Sequence, residues 1–173
     1  MKTIIMKPIL LVIFAVILVS CGKETSTTND SLIGIEFQQF KEVNQLSHYI
    51  KISDTTIYGD SFDSQFGILH LRDDANSLIL FNKISRDSFG NGRHHKIVDT
   101  LVIPSVTQET FITIGYCEID GNEDENIIAL VDKADNLMIQ HIQKAWQANT
   151  ISEKIEPLKD LKGITCFNAL FFD

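Results

Sequence analysis

The chain has 173 residues and a formal charge of −8, from 15 basic and 23 acidic side chains. Its length fits one folded domain. A hydrophobic content of 44%, with only three prolines and nine glycines, excludes a disordered or collagen-like chain. The acidic balance argues against nucleic acid as a partner, because phosphate-backbone binding needs clustered lysine and arginine.

The first twenty residues have the order of a signal peptide. Lys2 and Lys7 give a positively charged start, an apolar run covers residues 9–19, and the small residue Ser20 precedes Cys21. The run is shorter than the roughly 20 apolar residues that a membrane-spanning helix needs. We therefore predict that residues 1–20 are a targeting segment.

The segment Leu18-Val19-Ser20-Cys21 resembles the lipobox of bacterial lipoproteins, which signal peptidase II cuts before the cysteine. The resemblance implies that the Cys21 thiol is diacylglycerated with palmitate-type chains, so that the protein is held at a membrane by a lipid anchor. In that family Asp after the cysteine favours the inner membrane. Gly22 therefore implies the outer membrane, facing the periplasm or the cell surface. The alternative is an ordinary secretory signal in which Cys21 is incidental.

The mature chain is predicted to have two parts. Loss of residues 1–20 removes Lys2 and Lys7 and leaves 13 basic against 23 acidic side chains, a charge of −10. Residues 21–31 contain no apolar side chain after the cysteine and predict a flexible tether. Residues 32–173 show no internal repeat and predict a single β-rich domain.

Apolar runs of strand length recur along this domain, many of them with period two. They cover residues 66–71, 77–81, 97–103, 110–119, 127–131 and 163–167. The polar residues 73–76 predict a hairpin between the first two runs, and Pro104 closes the third. Residues 127–131 are apolar throughout, which predicts a central strand that is buried on both faces.

Two further segments allow more than one interpretation. Residues 36–46 carry apolar side chains at helical spacing and predict a short N-terminal helix as an option. Residues 140–148 also fit a helix, but the turn residues 149–152 favour a strand followed by a hairpin. We therefore predict a mainly β fold, an antiparallel sandwich or small barrel.

The three cysteines are predicted to have two different roles. With Cys21 assigned to the lipid, Cys117 and Cys166 remain as a pair in an envelope compartment where disulfides persist. A bond between them would close a loop of about 50 residues and stabilise the fold by about 4 kcal/mol in the chain-entropy model. The alternative is two buried free thiols in adjacent strands.

Oxygen-bearing side chains alternate along residues 118–126. They are Glu118, Asp120, Asn122, Asp124 and Asn126. The segment resembles the Asp-rich calcium loops of FG-GAP-type repeats, which implies a Ca²⁺ site. It departs from that pattern at Glu118, where the family has Asp, and at Glu123, where it has Gly. The alternative is an acidic hairpin turn with Gly121 at a positive φ angle.

Motifs of catalysis are missing from the sequence, so no catalytic residue is assigned. It contains no Gly-x-Ser-x-Gly elbow, no Walker lysine in the glycine-rich residues 89–93 and no zinc-binding histidine spacing. His94 and His95 are adjacent and are predicted to point to opposite faces of a strand. Trp146 and Tyr116 are candidate binding-surface aromatics, and a core position is the preferred interpretation for Trp146.

These observations favour a non-enzymatic, lipid-anchored cell-envelope module that works by binding or as a structural component. Its partners would be the membrane, through Cys21, and another envelope component or protein. One alternative is an inhibitor or immunity-type lipoprotein that acts on an envelope enzyme, because a small acidic domain suits a basic target. A hydrolase whose active-site residues are scattered along the sequence is the third hypothesis.

The lipobox interpretation predicts that Cys21→Ser leaves the protein soluble after cell fractionation. The mature chain has a charge of −10 and is repelled by anionic headgroups, so its attachment depends on the acyl chains. The measurement is the distribution of the wild type and the variant between membrane and soluble fractions. A variant that stays with membranes at high salt would contradict the interpretation.

Overall fold

The structure, a computed structural model, describes residues 29–57, 65–87, 92–104, 107–169 and 171. The predicted signal peptide, the lipobox and Cys21 lie outside the described residues. The described chain is mainly β, as predicted. Its strands are β1 (Glu36–Phe37), β2 (Ile50–Ile57), β3 (Phe66–Arg72), β4 (Asn76–Arg86), β5 (Arg93–Pro104), β6 (Thr110–Ile114), β7 (Cys117–Ile119), β8 (Asn122–Asp124), β9 (Ile127–Asp132), β10 (Met138–Ile139), β11 (Ile142–Asn149), β12 (Lys154–Pro157) and β13 (Ile164–Phe167).

The strands form three antiparallel sheets. Sheet I has the order β1-β5-β4-β3-β2, sheet II the order β12-β11-β9-β6, and sheet III the order β10-β13-β7-β8. Sheets I and II share one hydrophobic core, and sheets II and III share another, so the layers stack in the order I, II, III. The predicted antiparallel sandwich is confirmed, and within the described ranges no sheet closes into a barrel.

The core between sheets I and II consists of large aliphatic and aromatic side chains. Its buried members are Ile57, Phe66, Ile68, Ile79, Phe81, Leu101, Ile103, Ile114, Ile128, Trp146 and Ala148. Fully burying one side chain of this size contributes about 1.5–3 kcal/mol, so this core is a principal source of stability. Trp146 belongs to it, as the sequence indicated.

Strand β9 in the centre of the molecule is buried on both faces. Ile128 points into the core with sheet I, whereas Ile127, Ala129 and Val131 point into the core with sheet III. The continuous apolar run 127–131 is therefore explained by two packed faces, and the prediction of a doubly buried central strand is confirmed.

The outer face of sheet I is covered by the N-terminal segment. Phe37, Val43 and Leu46 are buried there, but residues 36–46 do not form an α-helix. They form β1 and two 3₁₀ turns, Phe40–Glu42 and Asn44–Leu46. The apolar side chains in this segment recur every three residues, which is the period of a 3₁₀ helix and not the 3.6 of an α-helix.

Residues 29–31, which the sequence assigned to the tether, lie against sheet I. The Asn29 backbone N–H donates to Thr100 Oγ1 at 2.8 Å, and Asp30–Leu32 form a 3₁₀ turn that packs on β5. Leu32 is fully buried beneath it. The described chain thus begins on the outer layer of the stack.

Both predicted hairpin turns are present and depend on a side-chain oxygen. Asp73 Oδ1 accepts from the backbone N–H groups of residues 75 and 76 at 2.8 and 2.6 Å, between β3 and β4. Asn149 Oδ1 accepts from those of residues 151 and 152 at 2.9 and 3.1 Å, between β11 and β12. Asp and Asn favour turns because their side chains satisfy backbone donors two residues further on.

The run 110–119 is two strands and not one. Gly115, with φ of +72°, turns the chain between β6 in sheet II and β7 in sheet III. A Cβ at this position would lie 3.0 Å from Thr55 Oγ1, so both the backbone angle and the close contact with β2 require glycine. The strand-like pattern of the sequence continues from residue 110 to residue 119 and does not show this change of sheet.

A buried carboxylate joins sheets I and II at one side of the sandwich. Asp99 on β5 is 4% exposed, and its Oδ2 accepts from the Ile155 backbone N–H on β12 at 2.8 Å. Its Oδ1 accepts from the Thr100 N–H at 3.0 Å, and Lys154 Nζ lies 3.9 Å away. Oδ2 thus holds β12 against β5, while Oδ1 is satisfied by the next residue of β5 itself.

We expect Asp99→Asn to lower the free energy of unfolding by about 2 kcal/mol, because an amide nitrogen would face one of the two backbone donors. Lys154→Ala is the matched control. Its ammonium group is exposed and its pair with Asp99 is long, so its loss should cost less than about 1 kcal/mol. Urea denaturation of both variants measures the difference, and equal effects would contradict the role given to the buried hydrogen bonds.

Candidate functional site

The predicted disulfide is present in the structure. Cys117 on β7 and Cys166 on β13 are directly opposite each other in sheet III, and their sulfur atoms are 2.11 Å apart. Both residues are buried in the core against sheet II. The bond joins neighbouring strands that are 49 residues apart in the chain.

The acidic segment 118–126 forms a tight hairpin. Ile119 pairs with Asn122, which leaves Asp120 and Gly121 as the two loop residues, with φ of +51° and +80°. Two positive φ angles in a two-residue loop define a type I′ turn. Gly121 therefore has the positive φ that the hairpin interpretation required.

Two of the five side chains proposed as calcium ligands, Glu118 and Asp124, accept hydrogen bonds from the hairpin and its neighbours, whereas Asn126 Oδ1 is buried without a partner among the described residues. Glu118 Oε1 accepts from Thr165 Oγ1 at 2.7 Å. Asp124 Oδ1 accepts from the Asn126 N–H at 2.9 Å, and its Oδ2 accepts from Gln147 Nε2 at 3.3 Å. Across the described residues, no group of three or more histidine, cysteine or acidic side chains is placed to hold a metal ion.

His94 and His95 lie near the start of β5 and have different surroundings. His95 stacks on Phe37 with a ring separation of 5.3 Å, whereas His94 Nε2 lies 3.2 Å from Gln38 Nε2. Burial, followed by the positive charge of Arg93, lowers the pKa of His95. Both side chains hold the N-terminal segment against sheet I.

A groove of about 630 Å³ opens between sheets I and II, on the side away from Asp99. It lies between β2, the last strand of sheet I, and β6, the last strand of sheet II. Thr55 of β2 lies against Gly115, the residue that follows β6. The groove is lined by Ile52, Ser53, His70, Arg72, Ser77, Thr107, Gln108, Thr110, Phe111, Ile112, Thr113, Ile114, Tyr116, Lys133 and Ala169.

The lining of the groove combines apolar walls, hydroxyl groups and positive charge. Phe111, Ile112 and Ile52 contribute apolar surface, and several serine and threonine hydroxyls lie between them. Arg72 and Lys133 are the charged residues of the lining, which contains no aspartate or glutamate. A protein with an overall charge of −8 thus has a groove of the opposite sign.

His70 and Ser77 form a buried polar pair in this groove. They are 4% and 1% exposed, and His70 Nε2 lies 3.1 Å from Ser77 Oγ. His70 Nδ1 is also buried and has no hydrogen-bond partner among the described residues. Burial, followed by the charge of Arg72, lowers the pKa of His70 to about 4, so its ring is neutral at pH 7.

The groove is not visible in the sequence as a motif. His70 lies in the apolar run 66–71, Arg72 directly follows that run, Ser77 follows a turn, and Lys133 is about sixty residues further on. His70 was the one signal of the groove in the sequence. A histidine on the inward-facing side of a strand is unusual in a sandwich core, where aliphatic side chains are the rule. Tyr116, a candidate binding aromatic, is 59% exposed beside the groove.

A second cavity of about 310 Å³ lies between the N-terminal segment and the outer face of sheet I. It is half as large, and two of the charged residues that line it, Lys51 and Asp54, pair with each other at 2.8 Å. The inter-sheet groove, whose two cations face no acidic residue in its lining, is therefore the stronger candidate site.

No protein-family model, curated protein or solved structure matches this chain. Within the part of the chain that the structure describes, no helix has the length and apolar character required to cross a bilayer. The geometry and charge of the groove are therefore the features from which a function can be proposed.

Replacement of both Cys117 and Cys166 by alanine should lower the free energy of unfolding by about 2–4 kcal/mol, because the bond restricts the unfolded chain. We would measure this by urea denaturation in a Cys21→Ser background, so that only this cysteine pair is compared. Mass spectrometry after alkylation without reductant provides the control. Two alkylated thiols in the unreduced protein would contradict the disulfide.

The lowered pKa of His70 predicts a specific loss of stability in acid. Between pH 6.5 and pH 4 the unfolded state binds the histidine proton and the folded state does not, so stability falls as the pH drops through this window and then levels off. The full shift corresponds to about 3 kcal/mol. Urea denaturation from pH 7.5 to 4.5 should show this loss in the wild type and less of it in His70→Gln. Identical pH profiles would contradict the prediction.

Proposed function

We propose that this protein is a lipid-anchored cell-envelope binding module that holds its ligand in the groove between sheets I and II. The anchor is the acylated Cys21 that the lipobox resemblance implies. The observation that carries the proposal is the charge of the groove, since two cations and no acidic side chain line it in an otherwise acidic protein.

This charge arrangement favours a negatively charged ligand. A cleft with apolar walls and charges of one sign concentrates the electric field and attracts ions of opposite sign. The apolar side chains Phe111 and Ile112 would contact the uncharged part of the ligand, while Arg72 and Lys133 would contact its anionic group. Pockets with apolar walls and a few polar groups that fix orientation are typical ligand sites.

The geometry favours binding over hydrolysis. A general base works best when its pKa is near the working pH, and a pKa of about 4 makes His70 a poor base for activating Ser77 at pH 7. In a nucleophilic site, a third group also orients the histidine through its other ring nitrogen. His70 Nδ1 has no such partner among the described residues.

An inhibitor or immunity-type lipoprotein is the alternative function. The β7–β8 hairpin favours it, because this short segment carries Glu118, Asp120, Glu123 and Asp124 and would complement a basic enzyme surface. In that case the hairpin, and not the groove, would contact the partner.

Photo-crosslinking in intact cells tests the proposed function. A photoreactive residue in place of Gln108, which lines the groove, should give an adduct with an envelope component. The double variant Arg72→Glu/Lys133→Glu should reduce the adduct about tenfold or more, because it reverses the charge of the groove.

Two controls make the result specific. A photoreactive residue at Glu123 reports on the acidic hairpin, and Lys159→Glu/Lys162→Glu changes the net charge equally at exposed positions outside the groove. An adduct from Glu123 to an enzyme, with none from Gln108, would favour the inhibitor alternative. No adduct from Gln108, or one that persists when the groove charges are reversed, would contradict the proposal.

A further inference from the structure

We propose that the groove binds an acidic peptide segment in an extended conformation, which adds as a strand to the open edge of β6. This inference deepens the proposed function and depends on it, because it names the ligand class of the same groove. The supporting observation is the position of the groove, which runs along the backbone edge of β6.

The groove follows the edge of β6 and not one of its faces. The side chains of β6 alternate, with Phe111 packed toward sheet III and Ile112 and Ile114 toward sheet I. All five residues of Thr110–Ile114 nevertheless line the groove. Consecutive residues of a strand can line one space only if that space lies beside the strand's edge, where backbone N–H and C=O groups point.

That edge has no partner strand within the described residues. β6 pairs with β9 on one side, from Thr110 opposite Asp132 to Ile114 opposite Ile128, and it is the last strand of sheet II. An edge strand presents unpaired backbone donors and acceptors, and peptide recognition by strand addition uses such edges. Five residues of regular strand extend about 17 Å, which accommodates about five peptide residues.

The opposite wall of the groove is less suited to strand pairing. In β2, Lys51 pairs with Leu71 and Ser53 with His70, so Ile52 is an extra residue at a bulge. Bulges disrupt the hydrogen-bond ladder of an edge strand and protect it from further pairing. Ile52, which is 40% exposed and lines the groove, offers instead an apolar side chain to the ligand.

The charge and burial of the residues that line the groove indicate which peptides it would bind. Arg72 and Lys133 favour aspartate, glutamate or a terminal carboxylate on the ligand. A strand on the β6 edge would direct every second side chain between sheets I and II, where His70 lines the groove. Nδ1 of His70 is buried without a hydrogen-bond partner among the described residues, and a polar ligand side chain that reached it would supply one.

Peptide selection on the detergent-solubilised full-length protein tests the inference. The probe is a display library of random linear octapeptides, and enriched peptides are synthesised for titration. We expect enrichment in acidic residues, affinity that falls as salt rises, and at least tenfold weaker binding to Arg72→Glu/Lys133→Glu. The control Lys159→Glu/Lys162→Glu, outside the groove, should bind as the wild type does.

N-methylated peptides test the strand geometry without altering the protein. Methylation of a backbone nitrogen removes one donor, so binding should weaken about three- to tenfold or more at alternate positions and little at the positions between. Amide hydrogen exchange should slow in β6 when the peptide is bound. Equal effects at all methylated positions, or no added protection of β6, would overturn the inference.

If the groove is occupied by something other than a peptide, these experiments give different results. If the Gln108 adduct in cells proves to be a lipid or glycan and no octapeptide is enriched, the inference is wrong and the proposed function stands. Concentration-dependent dimers that Arg72→Glu/Lys133→Glu abolishes would identify a second copy of the chain as the occupant and would also overturn it. If no adduct forms at all, the proposed function itself fails.

Discussion

Sheet II packs against another sheet on each of its faces, and this constraint determines where the molecule can receive a ligand. With both faces buried, the strands of sheet II that lie at an edge among the described residues are β12 and β6. The β12 edge is held against sheet I by the buried carboxylate of Asp99. On the β6 side, the described residues show a contact of Gly115 with Thr55 but no buried carboxylate of this kind, and the groove lies there.

The features that the sequence predicted are those with local causes. Turn chemistry at Asp73 and Asn149 acts over two or three residues, so both hairpins could be predicted. The apolar run 127–131 identified the doubly buried strand because no exposed strand would have that composition. The pairing of Cys117 with Cys166 followed from counting the cysteines once Cys21 was assigned to the lipid, which needed no knowledge of the fold.

The features that the sequence did not predict depend on contacts between distant segments. The change of sheet at Gly115 is determined by β2, whose Thr55 lies against it, and nothing within the run 110–119 marks that neighbour. The groove unites His70 with Lys133 because β3 and the end of β9 lie at the same side of two packed sheets. Periodicity assigns a residue to a face of a strand, but it does not show which strands will lie at the edges.

The charge distribution bears on what can occupy the groove. A flat anionic surface such as a bilayer meets the whole acidic body, whereas a narrow ligand meets mainly Arg72 and Lys133. At physiological ionic strength charges are screened over about 8 Å, so a ligand within the groove interacts chiefly with the lining and little with the distant acidic residues. The two cations therefore dominate the interaction with a narrow ligand, whereas the acidic residues of the whole protein dominate the interaction with a membrane. A narrow acidic segment would thus be attracted into the groove, whereas an anionic membrane surface would be repelled from the protein as a whole.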